Sequence, residues 1–262
     1  MSTIPLSTDN TINPSELNGF RLFGVWLLQG WQLFRRAPLR LFGCMVLLYI
    51  VEALVQWFVP VVGIPVSKFI AGILASILWL VLVHLNDCDQ LQISRAVRSV
   101  GRRWAAVAGL AFVSMLVYSM QVAIAFQMVG PAAIDLLVFA DPSATPSNTA
   151  PLLSPLQLAL IFSSGIPLAT LLMFAAPLIL IHQLTLLQSL RSSVELVIEH
   201  ATAMTLLALM TIALVFLVPF TFMLSVLITA PWLICVGFAA FRTMQTVIKQ
   251  PTSNNAANYE AN

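Results

Sequence analysis

The sequence predicts an all-α, polytopic membrane protein: a bundle of six transmembrane helices with amphipathic surface helices on the cytoplasmic side. Three observations carry that expectation. Only 8% of the residues are charged and 60% are hydrophobic, with a mean hydropathy of +0.95; a soluble domain carries about 25% charged residues. The apolar residues gather in blocks that can each cross a bilayer, which takes about 20 residues. The basic residues fall in alternate connections between those blocks. At that span length a chain of 262 residues has room for about six spans and little else.

The polar segment 1–16 has no basic stretch leading into an apolar one, so a cleaved signal peptide is not expected and the segment reads as disordered. The membrane domain then covers 17–245. Its first helix, 17–37, is amphipathic. Phe20, Phe23, Leu27, Trp31 and Phe34 recur at spacings of three and four and share one face, with Trp26 and Leu33 at its border. Asn18, Arg21, Gln29, Gln32, Arg35 and Arg36 share the opposite face, where only Val25 and Leu28 are out of place. A span would be apolar all round, so this segment is expected to lie in the membrane interface until Pro38 ends it. A tilted span would instead bury Arg21 or Gln29 without an evident partner.

The spans follow in order. The first covers about 41–59, and Pro60, Gly63 and Pro65 supply a tight turn to the second, about 66–85. A basic connection holds a second amphipathic segment at about 92–103, with Ile93, Ala96, Val97 and Val100 on one face and Arg95, Arg98 and Arg102 on the other. The third span covers 104–129. There Ala105 and Gly109 suit close helix packing, and Gln121 and Gln127 read as interhelical hydrogen-bonding groups. A connection with five prolines and no Lys or Arg, 131–155, leads to the fourth span, 156–181, which Pro167 and Pro177 are expected to bend. A third amphipathic segment, 183–199, precedes 41 residues without a charge, 201–241. As one helix that block would be about 60 Å long against about 30 Å of hydrocarbon, so it folds back near Pro219 into spans at 201–217 and 220–240. The tail, 246–262, reads as disordered.

With six spans, Arg21, Arg35, Arg36, Arg40, Arg95, Arg98, Arg102, Arg103, Arg191, Arg242 and Lys249 fall on one side. Lys68 alone falls on the other, just inside its helix where it can snorkel. This bias places both termini in the cytoplasm. The eight arginines ahead of the first and third spans are expected to meet anionic headgroups of membrane lipids. Each pair of spans follows an amphipathic segment. A decayed repeat would do this, and so would three hairpins under one positive-inside rule; the slight residue identity between the units favours the second.

Glu52 is the sharpest candidate for chemistry. It sits near the middle of the first span, with Tyr49 and Gln56 one turn away on either side. An ionised carboxylate there costs several kcal/mol unless protonated or paired, so it should face the bundle interior. Lys68, across the hairpin, lies roughly 9 Å away in depth by helix rise, a gap that long side chains nearly bridge, and is a candidate partner. Glu52, Gln56 and Lys68 thus form a candidate intramembrane site, or else a lock between two helices. Spans three to six hold no Asp or Glu, which argues against an ion-coupled pump. The group His84, Asp87, Cys88, Asp89 matches no metal spacing, and His182 and His200 read as interfacial. Arg191 and Glu195 are an i,i+4 pair. Cys44, Cys88 and Cys235 are too scattered for a disulfide framework. No phosphate loop, H-E-x-x-H, nucleophile elbow or nucleic-acid module is present, so neither enzyme, cofactor nor nucleic-acid partner is expected.

The stretches "GWQLFRRAPLRLFG" (30–43), "FAAPLILIHQLTLLQSLRSS" (174–193) and "APWLICVGFAAFRTM" (230–244) resemble a family of six-span bacterial inner-membrane proteins with no agreed activity. In that family a G-W-x-x-F-x-x-x-P stretch opens the membrane region. An A-P-L segment ends the fourth span ahead of a Leu- and Ser-rich amphipathic helix. The resemblance covers about 29–245 and implies the topology and a bacterial inner membrane, with no functional residues attached. Two functional classes stay open: a non-enzymatic protein that binds or transports lipid or another hydrophobic molecule, and a structural or assembly partner of another membrane protein.

Overall fold

The computed structural model describes residues 18–59, 62–88, 93–130, 153–221 and 224–248. Among these residues the secondary structure is helical, with no strand, and six helical stretches are long and apolar enough to cross a membrane. The polar segment 1–16, Pro60, the proline-rich connection 131–152 and the tail from 249 lie outside the described residues.

The first helix, α1 (Gly19–Arg36), is not one of the six. Pro38 ends it and opens α2 (Pro38–Phe58), because a proline's fixed φ and missing N–H suit the first helical position. Arg40 therefore sits in the first turn of the first span. The second span is α3 (Gly63–Cys88), and the third is α5 (Trp104–Val129), preceded by the short α4 (Ile93–Arg102). In α4, Ala96 and Val100 are buried while Ile93 and Val97 stay exposed, so only half of its apolar face is packed.

The fourth span is broken twice, into α6 (Pro155–Ser164), α7 (Ile166–Leu172) and α8 (Ala175–Leu180). The two expected prolines account for the breaks. Each removes one backbone donor, and a hydrocarbon environment supplies no water to replace it. At the first break Gln121 of α5 donates to Phe162 O at 3.0 Å, and Gly165 leaves the room it needs. Gln127, by contrast, is exposed. At the second break the buried Ser193 of α9 (Leu186–Glu199) donates to Leu171 O at 2.7 Å and accepts from Phe174 N–H at 3.2 Å. The amphipathic segment after the fourth span is thus half built into the bundle: Ser189, Ser193, Leu196 and Val197 are buried.

The fifth span is α10 (Ala201–Phe216), closing in a 3-10 turn at Pro219–Thr221. The sixth, α11 (Leu224–Ile248), runs past its expected end, so Arg242 lies in the last turn of the membrane-crossing stretch, Leu224–Gln245.

The core gathers where α3, α8 and α11 meet. Phe174 stacks on Phe241 at 5.8 Å, and Trp79 meets Phe241 edge-on at 5.9 Å. Glycines and alanines bring the helices that close. Gly72 touches Ala111 between α3 and α5, and Gly109 touches Leu186 of α9, while Ala105 is exposed.

α1 packs most extensively on α11 and also on α10. Its buried stripe is Leu22, Trp26, Gly30 and Leu33. On the apolar face read from sequence, Phe20 is 64% and Trp31 47% exposed. The two stripes lie roughly 100° apart around the helix by its 3.6-residue turn. The physical reason is Gly30: a Cβ there would stand 2.7 Å from Val236 Cα and 2.8 Å from Val236 N, so α1 rests backbone on backbone against α11. The residues at the border of the apolar face are the most buried, Phe23, Leu27 and Phe34 are partly buried against the core, and Phe20 and Trp31 stay exposed.

This contact is testable. Gly30→Ala should lower the stability of the detergent-purified protein by about 1–3 kcal/mol, the range for overpacking. Gly43→Ala, where a Cβ meets nothing within 4 Å, should leave it unchanged or raise it. Equal melting temperatures for the two variants would show that α1 does not dock at Gly30.

Candidate functional site

Two polar assemblies stand out. The first is at the α2–α3 hairpin. Gly63 lets the chains meet there: a Cβ on it would lie 2.9 Å from Gln56 Cα. That approach brings Lys68 Nζ to 2.7 Å from Glu52 Oε2, and Gln56 Nε2 donates to Ser67 Oγ at 2.9 Å. Ser67 Oγ in turn donates a hydrogen bond to Ile64 O at 2.8 Å. The three residues named from sequence are therefore brought together, joined by Ser67, which the sequence reading missed because a serine in an apolar helix is unremarkable. Side-chain exposure is 12% for Glu52 and 37% for Lys68, so the acid is enclosed and the amine reaches outward. Two charges paired within about 3 Å cancel most of each other's cost in a low-dielectric setting. The arrangement clasps two helices and leaves the carboxylate with its partner already in place.

The second assembly is at the other end of the bundle, where the arginines are. Arg103 Nη2 donates to Gln183 Oε1 at 3.0 Å, and Gln183 holds a left-handed backbone conformation (φ 56°) at the turn after α8. Gln245 Nε2 lies 2.6 Å from His182 Nε2, Arg242 Nη2 lies 3.6 Å from Asp87 Oδ1, and Thr243 Oγ1, which donates to Ala239 O at 2.8 Å, lies 3.3 Å from the Gln29 carboxamide. One end of spans two, three, four and six, together with α1, is thus tied by side chains from one level. Arg21, Arg35, Arg36, Arg40, Arg95, Arg98 and Arg102 are exposed, and Arg103 is half-buried. Arg191 forms its expected pair with Glu195 at 2.8 Å, whose hydrogen bond and then charge raise the guanidinium pKa. Of the His84–Asp89 group, Asn86 donates to Asp87 at 3.0 Å; the Cys88 side chain and Asp89 lie outside the described residues.

Between α1, the end of α3 and the end of α11 lies a cleft of about 220 Å³. Its floor is apolar and buried, formed by Leu33, Phe238 and Ala239; its rim is polar, formed by Gln29, Gln32, Arg36, Asn86 and Arg242. By helix rise, Arg242 and Asn86 lie within about 5 Å of the ends of their spans, so the cleft sits at the hydrocarbon boundary. Arg36 was read from sequence as a headgroup contact. Asn86, Gln29 and Arg242 were not singled out for a site, because only the docking of α1 on α11 brings them together.

Comparison with protein-family models, with curated proteins and with solved structures gives no match.

The clasp makes a distinct prediction. Lys68→Met alone should cost about 2 kcal/mol, less than the about 3–5 of a fully buried pair because the amine is partly exposed. Adding Glu52→Gln should recover most of that loss. A double-mutant cycle in thermal unfolding that showed simple additivity would rule out coupling across the hairpin.

Proposed function

We propose that the protein is a non-enzymatic, multi-pass protein of the bacterial inner membrane that binds or moves lipid or another hydrophobic molecule. The observation that carries this reading is the cleft beside α1, whose apolar floor and cationic rim match an amphiphile with its polar end at the hydrocarbon boundary. Phe20 and Trp31, exposed on the side of α1 away from the cleft's polar residues, offer the membrane a separate apolar surface. Both termini are cytoplasmic, since every described arginine belongs to the end where α1 and α4 lie and Lys68 to the other. Glu52, with its charge already answered, contributes to this activity through the hairpin it holds. A second reading, an assembly partner for another membrane protein, draws on α2, the least buried of the six spans.

Native mass spectrometry of the protein released gently from its membrane tests the first reading. A lipid or small hydrophobic molecule should remain bound in stoichiometric amount. A co-purifying membrane protein with no such ligand would favour the assembly reading instead. Orientation has its own check: in a chain freed of its three cysteines, a cysteine at Arg35 or Arg98 should resist an impermeant thiol reagent applied outside the cell, and one at Phe58 should react. Labelling at Arg35 from outside would reverse the topology.

A further inference from the structure

We propose that the cleft beside α1 is a binding site for the phosphate of an anionic phospholipid, with Arg36 and Arg242 as its two cationic ligands; this rests on the lipid-binding reading and names its ligand. The charge balance points this way. Arg36 and Arg242 come from different helices to one rim. Among the described residues the one carboxylate that answers them is Asp87, 3.6 Å from Arg242, a long separation for an ion pair. Two positive charges and one negative leave the rim one charge in excess, which a phosphodiester anion closes. An ethanolamine or choline headgroup brings its own cation and leaves the excess standing.

The neutral groups suit the same ligand. Gln29, whose carboxamide lies 3.3 Å from Thr243 Oγ1, carries an NH2 with two donors, at least one of which is left for a phosphate or glycerol oxygen. Gln32 and Asn86 add further carboxamide donors on the rim. Size selects the part of the lipid that enters. At about 220 Å³ the cleft is smaller than the roughly 300–1,000 Å³ that encloses a whole drug-sized ligand, so it takes a headgroup and leaves the acyl chains outside.

The test uses the full chain, delipidated in detergent and titrated with phosphatidylglycerol, phosphatidylcholine or inorganic phosphate, read by native mass spectrometry and melting temperature. One phosphatidylglycerol should bind per chain and raise the melting temperature, with phosphatidylcholine weaker. Arg36→Gln and Arg242→Gln should each weaken phosphatidylglycerol binding by about tenfold, the loss of one charge-assisted contact. Asp87→Asn should strengthen it, and Arg35→Gln, on the same helix but outside the cleft, should leave it unchanged. Variants are compared only where their lipid-free melting temperature matches the parent; Arg36→Lys and Arg242→Lys replace any that fails, and should weaken binding less. Equal binding of both lipids, or an equal loss in Arg35→Gln and Arg36→Gln, would overturn the site while leaving lipid binding intact. Binding of neither lipid by the parent would overturn both. Stabilisation by inorganic phosphate equal to that by phosphatidylglycerol would overturn the lipid as the source of the phosphate.

Discussion

Hydrocarbon offers no hydrogen bond to a peptide group and no screening to a charge, and each local feature of this chain answers that deficit. The described backbone is helical because a helix pairs its own peptide groups. Where proline interrupts the fourth span, side chains from α5 and α9 reach across to the freed backbone: Gln121 at Phe162, Ser193 at Leu171 and Phe174. Where an acid enters the first span, the adjoining helix supplies an amine at 2.7 Å. The remaining cations stay at one end. The same deficit that makes the helices local makes their breaks and charges communal, since each must be satisfied by a neighbour.

That requirement also explains where the core is dense. Lipid tails are as apolar as leucine, so helices gain little by exchanging lipid for each other unless they fit closely or share polar contacts. Around Trp79, Phe174 and Phe241 they do both: the aromatic stack sits directly below the level at which Arg103, His182, Gln245 and Asp87 tie the helix ends together. Toward the opposite end Leu54, Trp57, Phe58, Phe220, Leu224 and Ile228 face outward. There the Glu52–Lys68 and Gln56–Ser67 contacts hold one hairpin without drawing the other spans in.

Six spans and their order were legible because hydropathy along a chain reports whether a segment tolerates hydrocarbon, and the third span, 104–129, was read to the residue. The pairing of Glu52 with Lys68 was legible because helix rise alone fixes their relative depth across a short turn. What hydropathy cannot report is rotation. The apolar face of α1 is broad enough to turn either of two stripes inward, and the choice was made by Val236, more than 200 positions away, against a glycine on α1. Ser193 is a similar case: its role depends on backbone groups at the break in the fourth span, Leu171 O and Phe174 N–H, which lie about twenty positions away in sequence. The end of the sixth span was misplaced for another reason. Arg242 looks like a stop signal, yet a long side chain can lie in the last turn and carry its charge outward.

Two helices that touch at one point separate on either side of it unless they run parallel. At Gly30 the backbones of α1 and α11 are in contact, which no larger residue would permit. Toward the C-terminal end of α1, Gln32, Leu33 and Arg36 line a cleft together with Phe238, Ala239 and Arg242. The glycine that seats α1 and the cleft that opens beside it are therefore consequences of one packing geometry. If α1 merely floated at the interface, its arginines would be independent contacts with the lipid surface, each weak and screened by salt. Seated at Gly30, α1 brings Arg36 to the rim of the same cleft as Arg242 of α11, so two cations from different helices share one place.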